Sequence, residues 1–277
     1  MLPNLIVIGA MKCGTTSLHR YLGSHPAVFM SEPKEVNFFL AEGTWDRGVD
    51  WYSSLFPADR QVRGECSPSY AHHPYFEGVP ERMRSVVPDA KLVYLIRDPV
   101  ERIVSHWIHD VAEGRERRDL ATCLDDLDGS GYVAASRYFA QLQRYLGWYP
   151  LERILVIRLE DLEGARERTL AQVFRFVGVD DSFRSPQFSR IEHPSSAKRL
   201  PTDLGRRLAS SPLGRGLARL PGPLARRARR VLERPFSRPV ERPEMVASLR
   251  RHIRAHLRRD GAQLEGLTGM DLSAWYG

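Results

Sequence analysis

An α/β fold, with a central parallel sheet flanked by helices in three layers, is predicted by three features of the sequence. Short apolar runs of strand length occur at residues 5–8, 62–66, 92–96 and 154–157. Stretches of helical periodicity separate them, and such alternation favours parallel strands joined by helical crossovers. The length of 277 residues suits one domain over 1–277, because single cores stop growing near roughly 250–300 residues.

The first run, 5–8, opens onto Gly9 with Lys12 close behind and no basic region ahead of it. It therefore reads as a buried strand and not a targeting segment, and a cytoplasmic location is expected. Gly-rich residues 9–14 then lead into a helix carrying Leu18, Tyr21 and Leu22. After the strands at 62–66 and 92–96 a helix start is marked by Asp98 as N-cap, Pro99 at the first helical position and Glu101 completing a capping box. Beyond the strand at 154–157, Leu170, Val173, Phe174 and Val177 share one face of a helix over 166–177. From 200 to 243, prolines at 201, 212, 221, 223, 235, 239 and 243 interrupt short apolar and arginine-rich stretches, a basic broken-helix insertion. A last helix is expected over 244–259, with the apolar residues of 264–275 docking back on the domain.

Apolar residues make up 42% and charged residues 27% of the chain, ordinary values for a globular protein. No run of about 18 apolar residues exists, so no integral membrane segment is expected. Cys13, Cys66 and Cys123 are odd in number and too widely spaced for a metal clip, so free thiols are expected. The net charge of +7 is uneven: residues 200–259 hold 16 arginines against Asp203, Glu233, Glu241 and Glu244. Such a segment could track a nucleic-acid backbone. Phe236 is its one aromatic residue and it carries no groove-reading motif, so no nucleic-acid partner is expected. The stretch 217–232 is compatible with weak contact to an anionic membrane, although Pro221 and Pro223 interrupt it.

The strongest chemical signal is Gly9-Ala10-Met11-Lys12-Cys13-Gly14-Thr15-Thr16-Ser17 between a strand and a helix. Glycines let backbone amides turn in around an anion, the helix N-terminus adds partial positive charge, and three consecutive hydroxyl residues add donors. Lys12, Cys13, Gly14, Thr15, Thr16 and Ser17 are thus candidate phosphate ligands in a P-loop-type fold. In a Walker A loop the lysine directly follows the second glycine, whereas here it lies two residues before Gly14. The strand at 92–96 ends in Arg97 and not in a magnesium-binding carboxylate. A P-loop kinase or NTPase therefore stands as an alternative, with a nucleic-acid-binding protein as another. The pairs His72 with His73, His106 with His109 and His252 with His256 lack a third ligand in any recognisable metal motif.

The loop resembles the 5′-phosphosulfate loop of sulfotransferases that use 3′-phosphoadenylyl sulfate (PAPS), especially the heparan sulfate and carbohydrate enzymes and their bacterial relatives. Residues 92–107, LVYLIRDPVERIVSHW, are similar to that family's 3′-phosphate segment, which implies that Arg97 and Ser105 hold the 3′-phosphate. The resemblance continues through 33–39 (PKEVNFF), 64–70 (GECSPSY), 138–161 and 267–275. It implies PAPS as donor, 3′,5′-adenosine bisphosphate as product, no required metal, and direct sulfuryl transfer to a hydroxyl or amine of a carbohydrate or small-molecule acceptor. Lys12 is expected on the leaving oxygen and Glu35 as the base, its carboxyl raised by partial burial near Phe38 and Phe39. Lys198 and Arg199 fall where related enzymes cover the 3′-phosphate. Asn37 and Cys66 stand where the heparan-type enzymes usually carry histidine and lysine. Glu65 and Ser67 either line the acceptor side or hold a backbone turn. The aromatic residues Phe38, Phe39, Trp45, Trp51 and Tyr52 either stack on an acceptor ring or pack the core.

Overall fold

The computed structural model describes residues 1–189, 199–201, 211, 235 and 237–276. Strands β1 (Leu5–Gly9), β2 (Val28–Met30), β3 (Val62–Cys66), β4 (Lys91–Ile96) and β5 (Ile154–Arg158) form a parallel sheet in the order β2-β3-β1-β4-β5. Helices cover both faces, which explains why Leu5, Ile6, Val7 and Ile8 of the central strand are all fully buried. Four strands fall where the apolar runs predict them. β2 is the addition: three residues at the sheet edge are too short for periodicity to mark, and their pairing with β3 creates the strand.

The helices are α1 (Thr15–Gly23), α2 (Gly48–Ser54), α3 (Val79–Val86), α4 (Pro99–Ala112), α5 (Gly131–Ala134), α6 (Tyr138–Leu146), α7 (Leu159–Gly164), α8 (Arg166–Val177), α9 (Ala247–Thr268) and α10 (Ser273–Tyr276). A short antiparallel ribbon, β6 (Arg199–Pro201) with β7 (Ser237–Pro239), packs against α4. The basic broken-helix segment over 200–243 lies outside the described residues except for 200, 201, 211, 235 and 237–243. Among the described residues no helix is long and apolar enough to cross a membrane.

Two local expectations need correction. Asp98 caps α4 as its sequence predicts, Oδ1 accepting from the amides of Val100 and Glu101 at 2.8 and 3.0 Å. The return arm of the capping box is absent, because the Asp98 amide donates to Glu160 at 2.9 Å while the Glu101 carboxylate faces arginines from elsewhere. The last helix also runs to Thr268, nine residues past its expected end at 259. Gly261 lies within α9 where a Cβ would stand 2.3 Å from the Tyr276 ring, so the missing side chain admits the chain end onto the helix. Leu272, Trp275 and Tyr276 then dock as expected.

The strand order places the site. From β1 the chain runs outward to β2, returns through β3, and crosses to β4 on the other side. The carboxyl ends of β1 and β4 thus flank a switch point, where open α/β sheets leave a crevice for ligands.

Candidate active site

The loop between β1 and α1 is shaped by its glycines. Gly14 has a φ of +84°, a left-handed conformation that favours glycine, and a Cβ there would lie 2.6 Å from Leu159 Cδ1, which would have to shift. Lys12 also adopts a left-handed φ of +72°. The first intrahelical bond of α1 is made by the Leu18 amide to the Gly14 carbonyl at 3.1 Å. The amides ahead of it have no helix carbonyl to bond, which leaves a site of anion-binding character.

Arg97, at the end of β4, joins this loop: its Nη1 donates to the Lys12 carbonyl at 3.3 Å. Its Nε is buried and has no hydrogen-bond partner among the described residues. A buried guanidinium N–H left unbonded is costly, and a phosphate oxygen would satisfy it. Tyr138 ties the two segments together, its hydroxyl donating to the Arg97 carbonyl at 2.9 Å and lying 3.8 Å from Cys13 Sγ. Burial pushes the Cys13 thiol up to about 11, so it is a packed thiol. Ser105 is buried on α4, two turns beyond the cap.

Arg199 places its Nε 2.8 Å from Ser237 Oγ across the ribbon that packs on α4. Lys198 lies outside the described residues.

Glu35 does not have the buried setting expected of it. Its carboxylate is half exposed and pairs with Lys34 at 2.9 Å, while Phe38 and Phe39 turn into the core. The reversal follows from Asn37, whose φ of +54° bends the chain between them. The Lys34–Glu35 pair nevertheless acts electrostatically on Cys66, at the end of β3. Burial pushes the Cys66 thiol up to about 12, with Lys34 pulling it down and Glu35 pushing it further up. Cys66 itself donates to the Thr15 carbonyl at 3.6 Å. Cys66 is thus a packed thiol, and the cation near it comes from Lys34. The aromatic cluster takes its core reading in Phe38, Phe39 and Tyr52, which are fully buried, Phe38 stacking on Tyr52 at 4.1 Å.

Two features escape sequence reasoning, and a third decides between two readings the sequence leaves open, because each depends on distant segments. The first is Arg102, fully buried without a carboxylate partner among the described residues. Its Nε donates to Ser136 Oγ at 2.6 Å, Nη2 to the Tyr132 carbonyl at 2.6 Å and Nη1 to the Met11 carbonyl at 3.5 Å, so it braces the loop from beneath. The second is a set of arginines from the C-terminal region. Arg242 and Arg250 reach Glu101, and Arg254 lies 3.4 Å from Asp98 Oδ2. Burial pushes the Glu101 carboxyl up, but Arg242, Arg97 and Arg250 outweigh that and hold it below the usual carboxylate range. The carboxylates nearest Arg97 are thereby offset by cations, and the basic C-terminal region contributes to the field of the crevice.

The third is the relay behind Glu35. Glu65 is fully buried and accepts from Tyr52, Tyr70 and Ser67 at 2.7, 2.8 and 3.2 Å. Ser67 Oγ in turn accepts from the Asn37 amide at 3.0 Å, so Glu65 holds the turn that presents residues 34–37. Burial pushes its carboxyl up to about 7 against the pull of the three hydroxyl donors. A carboxyl raised in the folded chain and ordinary, near 4.5, when unfolded contributes stability that is complete below about 4.5 and is lost as the pH rises through about 7. The loss is on the order of 3 kcal/mol. Glu65→Gln should flatten the fall of unfolding free energy between pH 5 and 8 in denaturant titrations, and an unaltered slope would contradict this assignment.

The comparisons with known proteins agree with this geometry. A sulfotransferase domain model matches residues 2–199. The human bifunctional heparan sulfate N-deacetylase/N-sulfotransferase 3 is 29% identical over 199 residues, covering 64% of this chain and 22% of that protein. Human heparan sulfate glucosamine 3-O-sulfotransferase 5 is 32% identical over 170 residues, covering 56% of this chain and 47% of that protein. The chain thus spans from about a fifth to about half of the length of these relatives. A sulfotransferase crystal structure from Alicyclobacillus acidocaldarius superposes over 100% of both chains with a TM-score of 0.72 and 26% identity. With its loop, its switch-point crevice and this domain match, the chain belongs to the sulfotransferase family, whose members are transferases.

Proposed function

We propose that the chain transfers a sulfuryl group from PAPS to a hydroxyl or amine of a carbohydrate or small-molecule acceptor by direct in-line displacement. The observation that carries this reading is that the β1–α1 loop and Arg97 meet at one crevice, Arg97 Nη1 donating to the Lys12 carbonyl at 3.3 Å. The β1–α1 loop suits a 5′-phosphosulfate, and Arg97, with its buried unpartnered Nε and its contact to Lys12, suits a 3′-phosphate. Bound PAPS supplies the sulfuryl group. The loop amides and hydroxyls of Thr15, Thr16 and Ser17 hold the 5′ side, and Ser105 with Lys198 and Arg199 completes the 3′ side. Glu35 takes the proton from the acceptor as its oxygen bonds to sulfur. Lys12 offsets the charge that gathers on the bridging oxygen as the S–O bond to the phosphate breaks. The bisphosphate then leaves.

Transfer of labelled sulfate from PAPS, followed in the presence of chelator, tests the reaction class. Continued transfer supports sulfuryl chemistry without an obligatory metal, whereas phosphoryl transfer from ATP that stops in chelator would contradict it. Arg97→Ala should weaken binding of 3′,5′-adenosine bisphosphate by roughly 10–100-fold, as expected on losing a charged hydrogen-bond donor, read by calorimetry.

A further inference from the structure

A cavity of about 710 Å³ opens beside the donor loop, within the range typical of small-molecule sites. Met11, which precedes Lys12, and Ser69, which follows the end of β3, line it. Through Met11 it borders the donor loop, one residue from Lys12. Two of its lining side chains are more than nine-tenths buried yet unsatisfied: His72 Nε2 and Ser130 Oγ have no hydrogen-bond partner among the described residues. Buried polar atoms left unpaired are costly, and hydroxyl or amine groups of a ligand would satisfy both. Burial pushes the His72 imidazole down to about 4, with Arg102 adding to the effect, so His72 is a neutral recognition group. Tyr75 and Tyr132 supply flat apolar surface.

The charges of the cavity are ordered along it. Behind its buried lining residue His106 lies the Arg102 guanidinium, 3.4 Å from Nδ1, and the Lys12 charge also acts on His106. Toward the mouth the two lining arginines are spent: Arg115 pairs with Asp110 at 3.1 Å and Arg118 with Glu116 at 2.7 Å. Asp125 and Asp126 also line it, are exposed, and pair with no cation among the described residues. Positive potential inside suits an anionic donor, and negative potential at the mouth suits the opposite sign on whatever enters. The charged side chains that line the cavity are thus two arginines against four carboxylates, Asp110, Glu116, Asp125 and Asp126.

Resting on the sulfuryl-transfer reading, we infer that this cavity is the acceptor site and that its acceptor is a hydroxyl-bearing ring compound with an amino group distal to the reacting hydroxyl, not a polyanionic glycan. The amine faces Asp125 and Asp126, the ring lies against Tyr75 and Tyr132, and His72 and Ser130 bond the ring substituents.

Three acceptors of three sugar rings each test this with the whole chain: a glucosamine trimer, its N-acetylated form and a galacturonate trimer. Labelled transfer from PAPS at low ionic strength should give a kcat/KM for the glucosamine trimer roughly tenfold or more above that for the galacturonate trimer, with the neutral trimer between. The Asp125→Asn/Asp126→Asn double variant should bring this ratio to within about threefold, as should raised salt, with affinity for the bisphosphate unchanged. His72→Ala and Ser130→Ala should raise KM for the two amino-sugar trimers with kcat little altered. Equal or better use of galacturonate, an unchanged ratio in the double variant, or transfer to none of the three while the bisphosphate still binds would overturn the proposal. Failure of the unmodified chain to bind the bisphosphate would instead overturn the sulfuryl-transfer reading, and this assignment with it.

Discussion

Glu35→Gln should lower kcat for sulfuryl transfer by about 10²–10⁴, the usual contribution of a positioned general base, and should leave affinity for the bisphosphate within about twofold. The amide keeps the size of the side chain and its reach but cannot take the acceptor proton. The separation of kcat from donor binding matters because Glu35 is half exposed and its described ion pair is with Lys34. Its loss removes no buried contact, so a fall in rate cannot be ascribed to misfolding. The comparison with Glu65→Gln sharpens this: Glu65 is buried behind the same turn and acts on Glu35 only by holding residues 34–37. Its substitution should change stability and its pH dependence first, and the rate only as far as the turn shifts.

Lys12→Ala should lower kcat by about 10²–10³, the range for losing one preorganised donor to a developing oxyanion. Its backbone is left-handed, and its carbonyl accepts from Arg97 Nη1, so Lys12 stands between the end of β4 and the start of α1. The charge on the bridging oxygen is greatest as the S–O bond breaks, so the rate should fall more than the affinity for the bisphosphate. A loss confined to affinity, with kcat intact, would move Lys12 from the leaving oxygen to simple phosphate binding. Steady-state kinetics with PAPS varied at saturating acceptor separates the two.

Much of this was legible in the chain because it is local. The buried strands announce themselves as apolar runs, the α4 start as Asp98-Pro99, and the loop as glycines around Lys12, each written in a few adjacent residues. What was not legible is made by distant segments meeting. Arg102 looks like a surface residue of a capped helix until Met11, Tyr132 and Ser136 are brought around it. Arg242, Arg250 and Arg254 read as part of a solvated basic region, yet they turn toward the start of α4. Glu35 was misplaced because sequence proximity to Phe38 and Phe39 suggested shared burial, whereas the positive φ of Asn37 sends the two sides of the turn apart. Glu65 and Ser67 resolved toward the backbone role, through hydroxyl partners 13, 5 and 2 residues away for the carboxylate.

The central claim is that one crevice at the β1–β4 switch point binds both phosphate ends of the sulfuryl donor. Calorimetric titration with 3′,5′-adenosine bisphosphate in chelator, run beside ATP, tests it most directly. The account predicts tight one-to-one binding that needs no metal, prefers the bisphosphate over ATP, and weakens in Arg97→Ala. Absence of binding, or a preference for ATP that depends on added magnesium, would contradict it.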